Sequence, residues 1–335
     1  MSLVGIIANP ASGKDIRRLV AYGSVFDNQE KVRIVRRVLL GLRAVGVDRI
    51  CYMPDYFGIV LRALDGLDSN FNVEPVDFQA KGDQTDSTTA ARIMEDLGAA
   101  CIVTLGGDGT NRVVAKGTTR VPLLPISTGT NNVFPSMVEA TVAGMAAGLA
   151  ATGAVPLDEA AYLSTRLDVK LDGKVVDLAL VDVAVCDDLF VASKAVWDLN
   201  KVTQIFLNRA DPGAIGLSSI GGLIHPVGAE DPFSLSIVLG DAGAYVKAPV
   251  APGTIEKVFI ESTNTMTVGE EMEINCTPSV LALDGEREVE VQRGCHAAIQ
   301  LSKEGPRVVD VNRTMNSAMK RKILISPLDH TSFQR

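Results

Sequence analysis

Histidine and cysteine are scarce in this chain, and their scarcity removes whole classes of chemistry. The 335 residues include three histidines, His225, His296 and His330, which argues against a serine–histidine hydrolase and against a histidine metal site. The five cysteines, Cys51, Cys101, Cys186, Cys276 and Cys295, are odd in number and form no Cys-x-x-Cys pair. That argues against structural zinc and points to a reducing, cytoplasmic compartment. Basic blocks are missing too: with a net charge of −8, the chain lacks the electrostatic footprint of a nucleic-acid partner. Long hydrophobic runs are also missing. The longest weakly polar stretch, Ala140 to Val155, is rich in alanine and glycine and falls short of the roughly 20 residues of a membrane span. It reads as a helix with a small-residue packing face, and no membrane partner is expected. No signal peptide precedes the first apolar segment.

What is present is a set of three polar turns, each following a short apolar strand. The most informative is Ala100-Cys-Ile-Val-Thr-Leu-Gly-Gly-Asp-Gly-Thr-Asn111. Its glycines let backbone approach a ligand closely, and a helix starting near Thr110 would aim free N–H groups at the same spot. Asp108 would then stand beside bound phosphate, as a base or a metal-coordinating group. Leu3–Ala8 reads as a buried strand followed by the turn Asn9-Pro-Ala-Ser-Gly-Lys14. Val121–Ile126 reads as a third strand, followed by Ser127-Thr-Gly-Thr-Asn-Asn132. Ligands of open α/β sheets bind outside the carboxyl ends of the strands, so three such turns at one rim suit a polyphosphate. The candidate nucleotide-binding residues are Asn9, Ser12, Gly13, Lys14, Gly106, Gly107, Gly109, Thr110, Thr128, Gly129, Thr130 and Asn131, with Asn132 toward the acceptor. Each turn also has a plain structural reading. Gly106–Thr110 serves as a tight turn, Ser12 as a cap, Asn131 as a local backbone partner and Lys14 as a solvated cation. The joint occurrence of the three favours phosphate. The glycine turn is not a dinucleotide fingerprint, because Arg112 stands where a third glycine belongs, and Gly13-Lys14-Asp15 is not a Walker A loop.

The first half alternates helical and strand patterns. Helices are predicted at Glu30–Val45, Gly58–Leu67 and Ser87–Leu97, and strands at Ile50–Met53, Asn72–Phe78 and Ala100–Leu105, the pattern of a mostly parallel α/β sheet. Near Ala154 the character changes to short β-rich runs: Ser164–Leu171, Lys174–Val185, Phe233–Leu239, Glu256–Glu261, Glu271–Asn275, Ser279–Leu283, Glu288–Gln292 and Ala297–Leu301. Asp172-Gly173 and Asp284-Gly285 read as hairpin turns, and Lys194–Asn208 as a helix. The expected division is an α/β nucleotide-binding domain over residues 1–153, joined by the tail 306–335, and an antiparallel β-sandwich over 154–305.

Gly106-Gly-Asp-Gly-Thr110, Asn9-Pro-x-Ser-Gly13 and Gly129-Thr-Asn131 resemble the superfamily of NAD kinases and diacylglycerol or sphingosine lipid kinases. Within it, the chain is most similar to the AcoX branch associated with acetoin catabolism. The resemblance implies the same two-part fold, with the site in the cleft between the parts. It implies an ATP-dependent kinase that phosphorylates an alcohol hydroxyl, most nearly an NAD kinase making NADP, with Mg²⁺ carried on the phosphates rather than in a dedicated metal site. It makes Asp108 the catalytic residue. On the acceptor side it implies Gly221 and Gly222 of Ser219-Ile-Gly-Gly222, Asp284 and Glu286 of Asp284-Gly-Glu286, and Asp182 of Leu180-Val-Asp182. It also implies a homo-oligomer, a dimer or tetramer. Asp182 stands alone where NAD kinases carry Asn-Glu, and the Thr128–Asn132 turn is closer to the lipid-kinase form. Both weigh against NAD as acceptor more than against ATP as donor; polyphosphate is the other candidate donor. The alternatives are a kinase of another small hydroxylated metabolite, and a nucleotide-binding regulator without turnover.

Overall fold

The computed structural model describes residues 2–12, 26–67, 72–187 and 199–325. In the first half, strands β1 (Leu3–Ala8), β2 (Arg49–Tyr52), β3 (Asn72–Pro75), β4 (Cys101–Gly106) and β5 (Leu123–Ser127) pair in parallel in the order β3-β2-β1-β4-β5. The central strands are buried on both faces, as continuous β-branched runs require. Helices α1 (Asn28–Ala44), α2 (Ile59–Leu64), α3 (Thr85–Asp96), α4 (Asp108–Ala115) and α5 (Ala140–Ala151) connect or cover them. Asp27 caps α1 by accepting from the Glu30 amide at 2.7 Å. The small-residue face of α5 is a packing face: a side chain at Gly144 would put its Cβ 2.3 Å from the Val38 carbonyl oxygen, and one at Gly41 would meet Thr141 O at 2.2 Å. The two helices cross at backbone contact distance because these glycines face each other.

A short helix α6 (Leu157–Ala160) leads to β6 (Ala161–Leu163), and the chain then enters its β-rich part. β7 (Arg166–Leu171) and β8 (Lys174–Ala179) form a hairpin, closed by Asp172 and Gly173 at φ 48° and 77°. β9 (Asp182–Cys186), β10 (Val202–Leu207), β11 (Phe233–Ala251), β12 (Thr254–Thr267), β13 (Glu271–Glu273), β14 (Ser279–Leu283), β15 (Glu286–Val291) and β16 (Ala297–Ser302) follow. They make a six-stranded antiparallel sheet, β12-β11-β10-β9-β14-β15, and a four-stranded one, β13-β16-β7-β8. Leu167, Val169, Ile299 and Leu301 of the smaller sheet share a core with Val183, Val185, Phe206 and Leu281 of the larger. The outer face of the larger sheet is covered by α7 (Leu217–Gly222). The chain then returns to the first sheet. β17 (Arg307–Val309) pairs in parallel with β5 and antiparallel with β6, and α8 (Val311–Lys320) packs beside α5 and α6.

Sequence expectations are corrected at three places. The helix expected over Lys194–Asn208 is, in its described portion, a 3₁₀ turn at Leu199–Lys201 followed by strand β10. Val-Thr-Gln-Ile-Phe-Leu is β-branched and aromatic, and it lies between two neighbours in mid-sheet, where packing on both faces decides. The single run expected over Lys174–Val185 breaks at Leu180–Val181, where the chain leaves the smaller sheet for the larger. β11 and β12 run well past the expected segments, because Gly240–Gly243 forms a register shift rather than an end.

Candidate functional site

The turns after β1, β4 and β5 meet at the carboxyl rim of the parallel sheet and are sewn together by short polar bonds. Asn9 donates its backbone N–H to Leu105 O at 3.1 Å and its side-chain amide to Thr110 Oγ1 at 3.0 Å. Its own Oδ1 accepts from Ala11 N at 2.8 Å, which shapes the turn. Ser12 Oγ lies 3.1 Å from Thr128 Oγ1. Thr128 N donates to Gly106 O at 3.3 Å. Asn132 donates to Ser127 Oγ at 2.8 Å and Gly129 O at 3.3 Å, while its Oδ1 fills the space where a Cβ on Gly107 would stand, at 2.7 Å. Thr130 and Asn131 bond to each other at 3.0 Å at the outer end of their turn. Gly13 and Lys14 lie outside the described residues.

Asp108 opens α4, where a carboxylate is favoured by the unpaired N–H groups and the helix dipole. Val133 N donates to both of its oxygens, at 3.0 and 3.1 Å, and Phe134 N to Oδ1 at 2.8 Å. The half-buried carboxylate is therefore held in a fixed orientation by the segment that follows the third turn. Behind it, Thr104 donates to Asn111 Oδ1 at 2.6 Å and Asn111 donates to Gly107 O at 2.9 Å, bracing strand, turn and helix.

Three cations at this site escaped the sequence reading. Lys31 of α1 is fully buried and donates to Asn9 O (2.8 Å), Pro10 O (3.3 Å), Ser12 O (2.6 Å) and Asn28 Oδ1 (3.2 Å), anchoring the first turn from beneath. A signal existed: Lys31 shares helical spacing with the buried Val35, Val38 and Leu42. Arg209, just after β10, is 5 % exposed and donates to Gly228 O at 3.1 Å and Ser164 Oγ at 2.8 Å. Its guanidinium lies over the Phe134 ring, 5.9 Å from the centroid. Burial pulls its pKa below the ordinary arginine value, against the fields of Tyr162, Asp231, Asp108 and Glu230. Arg112 of α4 is fully buried, with Nη1 3.3 Å from both oxygens of Asp177 on β8 and Nη2 3.1 Å from Glu288 Oε1 on β15. The last contact is an ion pair without hydrogen-bond geometry, and Nε is sealed from solvent with no partner.

The residues expected on the acceptor side divide. Glu286 reaches the turn: its Oε1 lies 3.2 Å from where a Cβ on Gly109 would stand. Asp284 instead turns inward. Its carboxylate accepts from Leu180, Val181 and Asp182 N–H groups at 2.8 to 3.1 Å, at the corner where the chain changes sheets. Asp284 and Gly285 form the hairpin turn at φ 50° and 83°. Burial raises the Asp284 pKa, opposed by the Arg112 charge and the three amides. Asp182 is buried and returns its carbonyl to Asp284 N at 3.0 Å. Gly221 and Gly222 are close-packing positions in α7, against Leu207 and Ala210 and against the Asp211–Pro212 backbone. No group of three or more His, Cys, Asp or Glu side chains able to hold a metal ion occurs among the described residues, and no helix among them is long and apolar enough to cross a membrane.

Residues 4–154 match the ATP-NAD kinase N-terminal domain, and residues 165–304 match the acetoin catabolism protein X C-terminal domain. Acetoin catabolism protein X of Cupriavidus necator is 36% identical over 338 residues, covering 97% of this chain and 94% of that protein. Among solved structures, yeast NADH kinase complexed with NADH has a TM-score of 0.50 at 15% identity, covering 98% of this chain and 90% of its own. A putative diacylglycerol kinase from Bacillus anthracis str. Sterne has a TM-score of 0.46 at 16% identity, with 92% and 96% covered. At these identities the likeness to the yeast enzyme is one of fold.

Proposed function

The chain belongs to the family of acetoin catabolism protein X, with an ATP-NAD kinase-type N-terminal domain, and on that premise we propose that it is an ATP-dependent phosphotransferase. The group transferred is the γ-phosphoryl of ATP and the acceptor an alcohol hydroxyl, with NAD as the first acceptor to test. One observation carries this reading: three polar turns converge at the rim of the parallel sheet around Asp108, whose orientation two backbone amides hold. Phosphoryl transfer asks a protein chiefly for positioning and charge stabilisation, and these parts suit that task.

In this proposal the turns ending β1 and β4 hold the donor phosphates through backbone N–H groups and the hydroxyls of Ser12 and Thr110, with the hydroxyl of Thr128 added from the turn ending β5. Asp108 orients the acceptor hydroxyl and accepts its proton, a contribution typically of about 10²–10⁴-fold. Arg209 supplies positive charge from the β-rich side. The described residues include no group of three or more His, Cys, Asp or Glu side chains able to hold a metal ion, so Mg²⁺ would be carried by the phosphates, with Glu286 and Asp108 the acidic side chains at the turn available to it, and would neutralise phosphate charge there. The same proposal includes a division into residues 1–153 with 306–335 and residues 154–305, a cytoplasmic location and a homo-oligomer.

A second reading is favoured by Asp182. The single acid at the position where NAD kinases carry Asn-Glu is buried, with its backbone N–H donated to Asp284 Oδ1 at 3.1 Å, which suits a smaller hydroxylated acceptor, in keeping with the relative's link to acetoin catabolism. An ADP-release assay over a panel of alcohols that includes NAD and acetoin tests both. Turnover with NAD selects the first and turnover elsewhere the second. Nucleotide binding with no turnover on any alcohol refutes the enzymatic proposal and leaves a nucleotide-binding regulator.

A further inference from the structure

Arg112 lies one turn beyond Asp108 on the same helix and is, among the described residues, the most voluminous fully buried side chain. Its two arms end on different sheets. Asp177 belongs to β8 of the four-stranded sheet and Glu288 to β15 of the six-stranded one. Both carboxylates are steadied from the α/β side as well: Lys116 Nζ lies 2.6 Å from Asp177 Oδ1, and Gln84 Nε2 lies 3.4 Å from each Glu288 oxygen. The buried Asp284 carboxylate also feels the Arg112 charge. The hairpin strand thus runs along α4 with matched contacts, Glu286 against Gly109 and Glu288 against Arg112.

Packing alone does not account for an arginine here. A buried ion pair is often replaceable by apolar side chains of similar volume without loss of stability, and this one leaves Nε unpaired. What the guanidinium does, and an apolar side chain would not, is fix α4 to both sheets in one register. We propose that Arg112 is a positioning residue of the phosphoryl-transfer site, holding the 283–288 hairpin on the Asp108 helix so that Glu286 stays beside Gly109. This rests on the function proposed above. Arg112 itself touches neither donor nor acceptor and acts through Glu288 and Asp177.

The test is a double-mutant cycle on the full chain, with ADP as the binding probe and the best alcohol of the panel as acceptor. Arg112→Gln lowers kcat at least tenfold while the ADP dissociation constant stays within twofold. Glu288→Gln alone lowers kcat less, and combining it with Arg112→Gln adds nothing further, because both remove one contact. Arg112→Lys, which keeps the charge and loses the fork, recovers part of kcat. Arg166→Gln is the structural control: that arginine pairs with Asp168 and Glu304 inside the β-rich part, and its loss lowers the melting temperature without changing kcat. If Arg112→Gln does not fold, Arg112→Lys and Glu288→Gln carry the test, and unchanged kcat in both overturns the inference. Additive losses in the cycle, or an active folded Arg112→Gln, overturn it while the proposed function stands. A wild-type chain that phosphorylates no alcohol overturns the function and the inference with it.

Discussion

Replacing Asp108 by asparagine separates catalysis from architecture at this site. Both amides that hold the carboxylate donate to Oδ1, Val133 N at 3.0 Å and Phe134 N at 2.8 Å, and the asparagine carbonyl oxygen has two lone pairs for them. What is lost is the second contact of Val133 N, to Oδ2 at 3.1 Å, which becomes an N–H facing an N–H, together with the charge on the two retained bonds. Bonds to a charged acceptor contribute about 1.5–3 kcal/mol and neutral ones about 0.5–1.5, so the cost in stability is about 2 kcal/mol. With about 2.1 cal/mol/K of unfolding entropy per residue, a chain of 335 residues shifts by about 1.4 °C per kcal/mol, so melting falls by about 3 °C. Loss of a group that accepts the hydroxyl proton costs about 10²–10⁴ in turnover, or about 3–5 kcal/mol of barrier. The catalytic loss therefore exceeds the structural one. Calorimetry, ADP titration and the ADP-release assay on wild type and Asp108→Asn read the three quantities separately. The expected result is a folded variant with near-normal ADP affinity and a turnover loss of at least a hundredfold. A variant that keeps its turnover refutes the assignment of Asp108.

Other outcomes follow from the same geometry. Asp284→Ala strands three buried N–H groups at the sheet corner, at about 1–3 kcal/mol for each unsatisfied donor; urea unfolding should show a loss of at least about 3 kcal/mol, and a smaller one means that water replaces the carboxylate. Because burial raises the folded-state pKa of Asp284, its contribution is full below the ordinary carboxylate value and is lost as pH rises through the raised one. Wild type should thus lose stability relative to Asp284→Asn across that window, and parallel urea midpoints would contradict the shift. Gly144→Val drives a side chain into the Val38 carbonyl and should destabilise by about 1–3 kcal/mol or more, whereas an unchanged melting temperature would mean that α1 and α5 separate freely. Burial pushes the Cys51 thiol up to about 11 and Cys101 up to about 12, so at pH 8 a thiol reagent followed by mass spectrometry should leave both unmodified until the chain unfolds; rapid native labelling of Cys101 would place it outside the core.

The legible part of this chain is local. Strand-then-turn punctuation located β1, β4 and β5 and the turns that follow them, and helical periodicity located α1, α2 and α3 to within a few residues, because buried faces repeat with the period of the backbone. Asp-Gly pairs marked both hairpins, since positive φ is needed at each of those positions. The change to antiparallel sheets showed in the shortening of the apolar runs. Less legible were elements whose conformation depends on distant neighbours. Val202–Leu207 is a strand because β9 and β11 flank it, and β11 continues through glycines because β12 accompanies it.

At the site the same boundary holds. Composition and motif spacing determined by themselves that Asn9, Asp108, Thr110 and Thr128 follow the ends of strands, and those ends share one rim because β1, β4 and β5 pair in parallel. Only the tertiary structure decided which carboxylates face that rim. Asp284 and Glu286 flank one glycine, yet Asp284 turns inward to serve the N–H groups of Leu180–Asp182 and Glu286 reaches Gly109, because the chain changes sheets at that corner and leaves donors that a buried acceptor must satisfy. The cations were decided there as well: Lys31, Arg112 and Arg209 come from three separate parts of the chain, and a buried charge finds its partners by folding in three dimensions, not by spacing along the chain.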